Sequence, residues 1–272
     1  MKRNLVVGVV LASFSVIASA QDCADSASWQ LVQKGKLVMT VNPTIPPQEY
    51  VNDKGELLGL NIDLTEAIAK RLCLTPDFVR MDAQGMIPGL KEGRYDMVNN
   101  GFFWTSERAK MLYLVPYAQH GFTVMVPKGS TLKINSFADL SGLRLGVEST
   151  SYPDVMARRD SAALVAKGMK PVTIMGFENG AAVLAALRAH QIDASVTIDE
   201  TGASIAARGG ADSRTVGLWS TQIALAFRNR DLAQASANAL TEIRASGLYD
   251  QLFDKYKMNR LSTKTFAIRG PD

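Results

Sequence analysis

Two stretches of eight residues in this chain share one pattern, and that repeat limits the fold more than any other feature of the sequence. The first is Gly89-Leu90-Lys91-Glu92-Gly93-Arg94-Tyr95-Asp96. The second is Ala186-Leu187-Arg188-Ala189-His190-Gln191-Ile192-Asp193. Each runs from a helix end through a basic surface residue and a tight turn to an aspartate at the head of a strand. Each is embedded in a series of strands and helices. In the first unit, Leu37 to Val41 is an apolar run that reads as a buried strand. Pro43, Pro46 and Pro47 force a loop, and Asn52-Asp53-Lys54-Gly55 a turn. A helix is predicted from Asp63, with Leu64, Ile68 and Leu72 on one face. Asp77 to Met81 is a strand, Pro88 to Glu92 a short helix and Tyr95 to Asn99 another strand. In the second unit, Leu143 to Val147, Val172 to Met175 and Ile192 to Ile198 are strands, and Ala181 to Ala189 is a helix. Strand-helix alternation predicts a parallel sheet covered by helices, and its repetition predicts two similar α/β lobes. A helix from Asp231, broken at Gly247, and a last helix carrying Tyr249, Leu252, Phe253 and Tyr256 on one core-facing side complete the chain. The tail after Met258 carries no signal.

The N-terminus follows a different logic. Lys2 and Arg3 precede an apolar run from Leu5 to Ala18, and Ala18-Ser19-Ala20 is a small-x-small site. That order predicts a secretory signal peptide over residues 1–20. The run is short for a membrane span, which needs ~20 residues. Cys23 raises a lipoprotein as the other reading, but Gln21 and Asp22 stand where such a site wants small and apolar residues. Removing 20 of 272 residues leaves 252, and loss of Lys2 and Arg3 lowers the formal charge from +4 to +2. The charges are scattered, with no basic stripe between aromatics, which argues against nucleic acid. In an oxidising compartment the two cysteines, Cys23 and Cys73, read as one disulfide, the alternative being two separate thiols. Such a loop stabilises by ~4 kcal/mol in the chain-entropy model. The two histidines, His120 and His190, lie far apart, and neither CxxC nor HExxH occurs. These absences point away from a metal site or cofactor. His190 stands at a helix end, where a cation suits the dipole.

Several segments carry a family resemblance in combination. Gly35-Lys36-Leu37-Val38 leads into Asn42-Pro43-Thr44-Ile45-Pro46-Pro47-Gln48-Glu49-Tyr50, and Leu58-Gly59-Leu60-Asn61-Ile62-Asp63-Leu64 follows. Then come Thr105-Ser106-Glu107-Arg108-Ala109-Lys110, Phe137-Ala138-Asp139-Leu140-Ser141-Gly142, and a close from Gly247-Leu248-Tyr249 to Lys255-Tyr256. The chain resembles the periplasmic (extracellular) solute-binding proteins of family 3, which serve polar amino-acid ABC transporters. The resemblance implies a two-lobed periplasmic-binding-protein fold of type II. Residues 22–120 and 221–272 would form lobe 1, and 121–220 lobe 2. Two crossing strands, near Phe122 to Val126 and Ile223 to Phe227, would join them. It implies a monomer in the periplasm that closes on an amino-acid-like ligand and delivers it to an ABC permease. Ligands bind at the carboxyl ends of strands in open α/β sheets, so the two lobes would share one cleft.

The resemblance also implies site residues. Arg108 matches the arginine that grips the ligand carboxylate, a bidentate task for a guanidinium; the alternative is a surface arginine beside Glu107. Asp199 matches the acid that takes the ammonium; the alternative is a helix cap, and Glu200 is its nearest competitor. Asn100 and Gly101 match the stretch that offers polar groups to the ligand. Phe103 stands where the family often has serine, which suggests a more apolar wall, with Trp104 next to it. Asn42 replaces a usual aspartate, Ile45 a stacking aromatic and Gln48 a common phenylalanine. Glu148-Ser149-Thr150-Ser151-Tyr152 replaces a Gly-Thr-Thr loop, so Thr150 and Ser151 are both candidates for the carboxylate. Loss of the acid at position 42 favours a neutral ligand, although Glu148 could meet a cation. An alternative is a periplasmic dehydratase on the same fold. That chemistry needs a general acid or base in the cleft, for which Glu148 and Glu200 are the candidates, but Gly202 stands where the catalytic glutamate would be expected. A ligand sensor is the other alternative.

Overall fold

A computed structural model describes residues 27–271, apart from the side chains of residues 27 and 215–217. The expected signal peptide and Cys23 lie outside the described residues. The first unit holds β1 (Lys36–Val41), β2 (Thr44–Ile45), β3 (Glu49–Val51), β4 (Leu57–Leu58), α1 (Leu60–Arg71), β5 (Thr75–Arg80), α2 (Ala83–Lys91) and β6 (Met97–Val98). Then come α3 (Ser106–Ala109) and the long β7 (Tyr113–Val126). The second unit holds β8 (Arg144–Glu148), α4 (Tyr152–Ala166), β9 (Thr173–Phe177), α5 (Gly180–Arg188), β10 (Ala194–Ile198) and α6 (Asp199–Ala207). The chain returns along β11 (Asp212–Phe227) and ends in α7 (Arg230–Ala245) and α8 (Leu248–Tyr256).

Eight strands form one sheet in the order β5-β1-β6-β11-β7-β10-β8-β9. Its two ends, β5-β1-β6 and β10-β8-β9, are parallel, as the alternation predicts. Between them β7 and β11 pair antiparallel from Tyr113↔Phe227 to Asp212↔Val126, with a register shift between Thr215 and Ser220. These strands are much longer than the two crossing segments the sequence suggests.

The sequence repeat is a structural repeat. Gly93 and His190 both adopt the left-handed conformation, with φ 72° and 56°. Arg94 N donates to Gly89 O and Gln191 N to Ala186 O, so both helices stop in the same way. The aspartates then play one role. Asp96 accepts from the Val38 and Val32 amides, and Asp193 from the Arg144 amide. Each ties its own strand to the first strand of its unit.

Some boundaries differ from the sequence reading. Helix α1 begins at Leu60 and not at Asp63, because Leu60 N and Asn61 N find the carbonyls of Pro47 and Gln48. The close approach requires Gly59 (φ 139°): a Cβ there would overlap the Gln48 carbonyl. Helix α4 has no counterpart in the sequence reading. Its buried face is Pro153, Asp154, Ala157, Ser161 and Leu164, mostly small or polar residues at helical spacing. The tail after Met258 is ordered into the fold. Phe266 is buried, Arg260 and Arg269 bridge to Ala118 and Leu114 of β7, and Leu261 N donates to the Tyr249 hydroxyl. The aromatic face of α8 is core, with Tyr249 and Phe253 fully buried and stacked. No helix among the described residues is long and apolar enough to cross a membrane.

The repeat generates a stability test. Replacing Asp96, which is 3% exposed, strands two backbone donors. Asp96→Ala is expected to cost about 2–3 kcal/mol in urea unfolding, the scale for hydrogen bonds to a charged group. Asp193→Ala, with the side chain 30% exposed, should cost less. Equal losses would mean that burial does not set the strength of the shared device.

Candidate functional site

A cavity of about 360 Å³ lies between the two parallel ends of the sheet. The first unit contributes the β1–β3 loop with Thr44, Ile45 and Gln48, the first turns of α2, and residues 100–103 after β6. The second contributes Glu148 at the end of β8, the start of α4, one face of α5 and the end of β10. The walls meet across the opening. Asn42 Nδ2 donates to Glu148 Oε1 at 2.8 Å, and Asn179 Nδ2 to Asp82 Oδ1 at 3.2 Å.

Arg108 lines the cavity. It lies in α3, whose N-cap Thr105 accepts from the Arg108 amide at 3.1 Å. That cap fixes the turn, so the side chain returns to the loop before it. Nη1 donates to Phe103 O at 2.8 Å, and the guanidinium carbon stands 4.1 Å from the Phe102 ring centroid. Burial pulls its pKa down to about 10. Among the described residues it has no ion-pair partner, and burial is the one influence on its titration. A desolvated cation facing an open space is primed for an anion.

Glu148 is the one acid lining the cavity among the described residues. Burial and the charge of Asp82 push its pKa up to about 7, against hydrogen bonds from the Ala83 amide and Asn42. Asn42 links it to a second buried acid: the Asn42 amide donates to Glu49 Oε2 at 2.6 Å, and Asn61 Nδ2 donates to Oε1 at 2.7 Å. Burial raises Glu49 well above the usual carboxylate range. The Tyr117 hydroxyl, with its single proton, lies between the Asn61 and Asn99 side-chain oxygens at 2.7 and 2.8 Å and closes this network behind the cavity.

Of the residues singled out in the sequence, Arg108, Gln48, Asn100, Gly101, Phe103, Thr150 and Ser151 all line the cavity. Both amide atoms of Gln48 are buried with no hydrogen-bond partner among the described residues, as are Asn100 Oδ1 and Thr201 Oγ1. A Cβ on Gly101 (φ 69°) would stand 3.2 Å from Gln48 Oε1, so glycine keeps that amide uncrowded. Phe103 forms an aromatic wall with Phe122 and Tyr152, ring centroids 5.1 to 5.6 Å apart. Ser151 caps α4 by accepting from the Asp154 amide at 3.3 Å, and Thr150 adopts φ 63° beside it.

Asn42 and Asp199 are not brought into the lining. Asn42 is committed to the seam. Asp199 is the first residue of α6 and lies against β7, where a Cβ on Gly121 would overlap its Oδ2. Burial and neighbouring Glu200 raise its pKa, opposed by His120. Its neighbour Ile198 lines the cavity instead. Glu200 is engaged elsewhere, bonded to buried His120 at 2.7 Å and to Asn259 of the tail at 2.9 Å. Burial would raise Glu200, but the His120 contact holds it below its ordinary value. Sequence reasoning missed the apolar wall of Met86 and Ile87 on α2 and Val183 and Leu184 on α5. Adjacent apolar pairs on both helices were the available signal. Among the described residues no cluster of His, Cys, Asp or Glu could hold a metal ion.

The family pattern of the bacterial extracellular solute-binding proteins, family 3, matches residues 37–259. ABC transporter arginine-binding protein 1 of Escherichia coli (strain K12) is 27% identical over 93% of this chain and 98% of its own length. An ancestral arginine-binding protein solved with bound glutamine superposes with a TM-score of 0.72 at 31% identity, covering 82% of this chain and 98% of its own. An ancestral amino acid-binding protein that is a precursor of cyclohexadienyl dehydratase has a TM-score of 0.71 at 27% identity, over 82% and 95%.

The unpartnered Gln48 amide generates a test that separates binding from stability. Gln48→Met removes a desolvated polar group, a penalty of about 1–3 kcal/mol, so the ligand-free protein should unfold at higher temperature. The same change should weaken ligand binding in calorimetry. A lower unfolding temperature would show that Gln48 serves the fold.

Proposed function

The chain belongs to the bacterial extracellular solute-binding proteins, family 3, and on that premise we propose that it is a periplasmic receptor for a neutral amino acid. In this reading the signal peptide of residues 1–20 exports the chain, and Cys23 and Cys73 form a disulfide. Residues 22–120 and 221–272 make one lobe and 121–220 the other. The lobes close on the ligand, and the monomer delivers it to an ABC permease in the inner membrane.

One observation carries the reading: the Arg108 guanidinium, desolvated by its surroundings, lines the cavity and has no ion-pair partner among the described residues. A ligand carboxylate satisfies it through two parallel hydrogen bonds. Gln48, Asn100, Thr150 and Ser151 supply the remaining polar contacts. The glutamine bound by an ancestral arginine-binding protein shows that a neutral amino acid fits this build in a similar protein. The walls here are more apolar than polar, which favours a neutral ligand over arginine.

A second reading has one observation behind it. Glu148, with its pKa near 7 inside the cavity, has the property of a general acid, and a dehydratase precursor is among the similar structures. Incubation with prephenate and analysis for the dehydrated product separates the two. Unchanged prephenate removes the enzyme reading.

The receptor reading is tested by thermal unfolding of protein freed of ligand by denaturation and refolding, then mixed with single amino acids. A ligand specific to the folded state stabilises it by about 4 kcal/mol at a thousandfold excess over Kd. Arg108→Ala should weaken that ligand by at least about tenfold, the loss of a charge-assisted contact of about 1.5–3 kcal/mol. Arg108→Lys should restore part of it, because lysine lacks the fork. Full binding by Arg108→Ala would show that the carboxylate sits elsewhere.

A further inference from the structure

We propose that Glu148 takes up a proton when the two units close, so that a ligand is held more tightly at acid than at alkaline pH. The proton uptake rests on the receptor reading, in which the units come together around a ligand.

The seam between the walls provides the geometry. Glu148 ends β8 in the second unit, but both donors to its carboxylate belong to the first. Asn42 Nδ2 donates to Oε1 at 2.8 Å, and the amide of Ala83, the first residue of α2, is the other donor. Among the described residues its carboxylate takes no hydrogen bond from its own unit. Separating the units therefore removes both donors and returns the carboxylate to water. Bringing them together seals it into the wall. Glu49 is different: its donors, the Asn42 amide and Asn61, lie in its own unit, so its hydrogen bonds do not depend on closure.

Closure also brings acid toward acid. The other contact of the seam runs the opposite way: Asp82, just before α2 in the first unit, accepts from Asn179 of the second at 3.2 Å. Each wall thus offers one carboxylate to the other. Glu148 meets Asp82 and Glu49 there, and no cation is among the influences on Glu148 or Glu49. The charges on neighbouring elements are engaged or turned to solvent. Asp154 of α4 pairs with Arg158, and Arg144 at the far end of β8 pairs with Asp193. Glu178, beside Asn179, is exposed. Arg108 lines the same cavity and, in the receptor reading, is kept for the ligand carboxylate. Carboxylates drawn together away from water resist joint ionisation, and one of them keeps a proton.

The direction of the pH effect follows from the two environments. With the units together, burial and Asp82 hold the Glu148 carboxyl at about 7. With the units apart, water restores the ordinary range of a glutamate, about 4.3. The closed form therefore binds the extra proton between these values. The advantage this gives to closure is full below the open-form value and is lost as the pH rises through about 7. A ligand held by the closed form inherits that dependence. A contact between the ionised carboxylate and a cationic group of the ligand would give the reverse slope.

The experiment is titration calorimetry of the mature protein with glutamine, leucine and arginine between pH 6 and 8, in buffers of low and high ionisation heat. An amino acid that binds should do so about tenfold more tightly at pH 6 than at pH 8, the linkage expected for a carboxyl moved to about 7. The buffer comparison should show uptake of about one proton at pH 6 and almost none at pH 8. Glu148→Gln mimics the protonated acid and should bind with one affinity across this range. Asp82→Asn, at a position outside the cavity lining, removes the facing charge and keeps an acceptor for Asn179. It should move the midpoint of the profile to lower pH. A flat profile in the unaltered protein, which needs no variant to fold, overturns the proposal and leaves the receptor reading intact. So does tighter binding at pH 8. A pH dependence retained by Glu148→Gln places the proton on another group, such as buried His120 beside Glu200, and overturns the role of Glu148. If none of the three amino acids binds and Arg108→Ala leaves the thermal panel unchanged, the receptor reading fails, and the proton uptake with it.

Discussion

The pairing of β7 with β11 is the element on which both units and the cavity depend. A parallel pair of strands needs a crossover between them, so each three-stranded end of this sheet is covered by helices and complete in itself. The antiparallel pair is shared: β11 also bonds β6 of the first unit, and β7 bonds β10 of the second. Parallel strands of both units then end toward the space beside this pair. Phe122, in the second half of β7, lines the cavity; its ring meets Phe103 of one unit at a tilt and stacks on Tyr152 of the other. A strand shared by both units is thus also part of the cavity wall.

The electrostatics follow from the same geometry. Closing two walls removes water from groups that would otherwise be solvated, and the cost falls on Arg108, Glu148 and Gln48. Each is kept in an unfavourable state by surroundings that are otherwise well satisfied. Behind them Glu49, Asn42, Asn61, Asn99 and Tyr117 exchange hydrogen bonds with one another, with short distances of 2.6 to 2.8 Å for the Glu49 and Tyr117 contacts. The contrast separates roles. The inner network is saturated and holds the loop 42–50 in shape. The outer groups are unsaturated and face the cavity. Natural sites often carry such local destabilisation where function needs it.

Much of this was legible in the sequence because it depends on short-range patterns. The repeat at 89–96 and 186–193 marks two helix ends and two aspartate ties, and both are local. Arg108 was legible through the resemblance carried by Thr105-Ser106-Glu107-Arg108. What was not legible depended on partners distant in sequence. The start of α1 was shifted by carbonyls of a loop more than ten residues earlier. Helix α4 hides its buried face in alanine, serine and proline. At the end of β10 a shift of one residue exchanges the two faces of a strand, so the wall received Ile198 and the hinge side received Asp199. The tail had no apolar period to read, because it is held by separate apolar side chains such as Leu261, Phe266 and Ile268 and by isolated bridges from Arg260 and Arg269 to β7.

That tail ties the C-terminal helices to both units. Tyr249 of α8 donates to the carbonyl of Tyr117 in β7 and accepts from Leu261, so the C-terminal helices grip the hinge strand on the first-unit side. Three residues along β7 from Tyr117, His120 bonds Glu200 of α6 in the second unit, and Glu200 also bonds Asn259 just past α8. The Glu200 carboxylate thus spans the hinge, with one oxygen toward the strand and the other toward the tail. Rotation of the second unit about β7 must either stretch the Asn259 contact or draw the tail along. Glu200 is mostly buried, its side chain 9% exposed, so water replaces that contact poorly and the broken state is costly. Glu200 thus ties α6 to both β7 and the tail from outside the cavity, while Glu148 joins the two walls through Asn42 inside it. The two acids stand on opposite sides of β10, and just one of them lines the cavity.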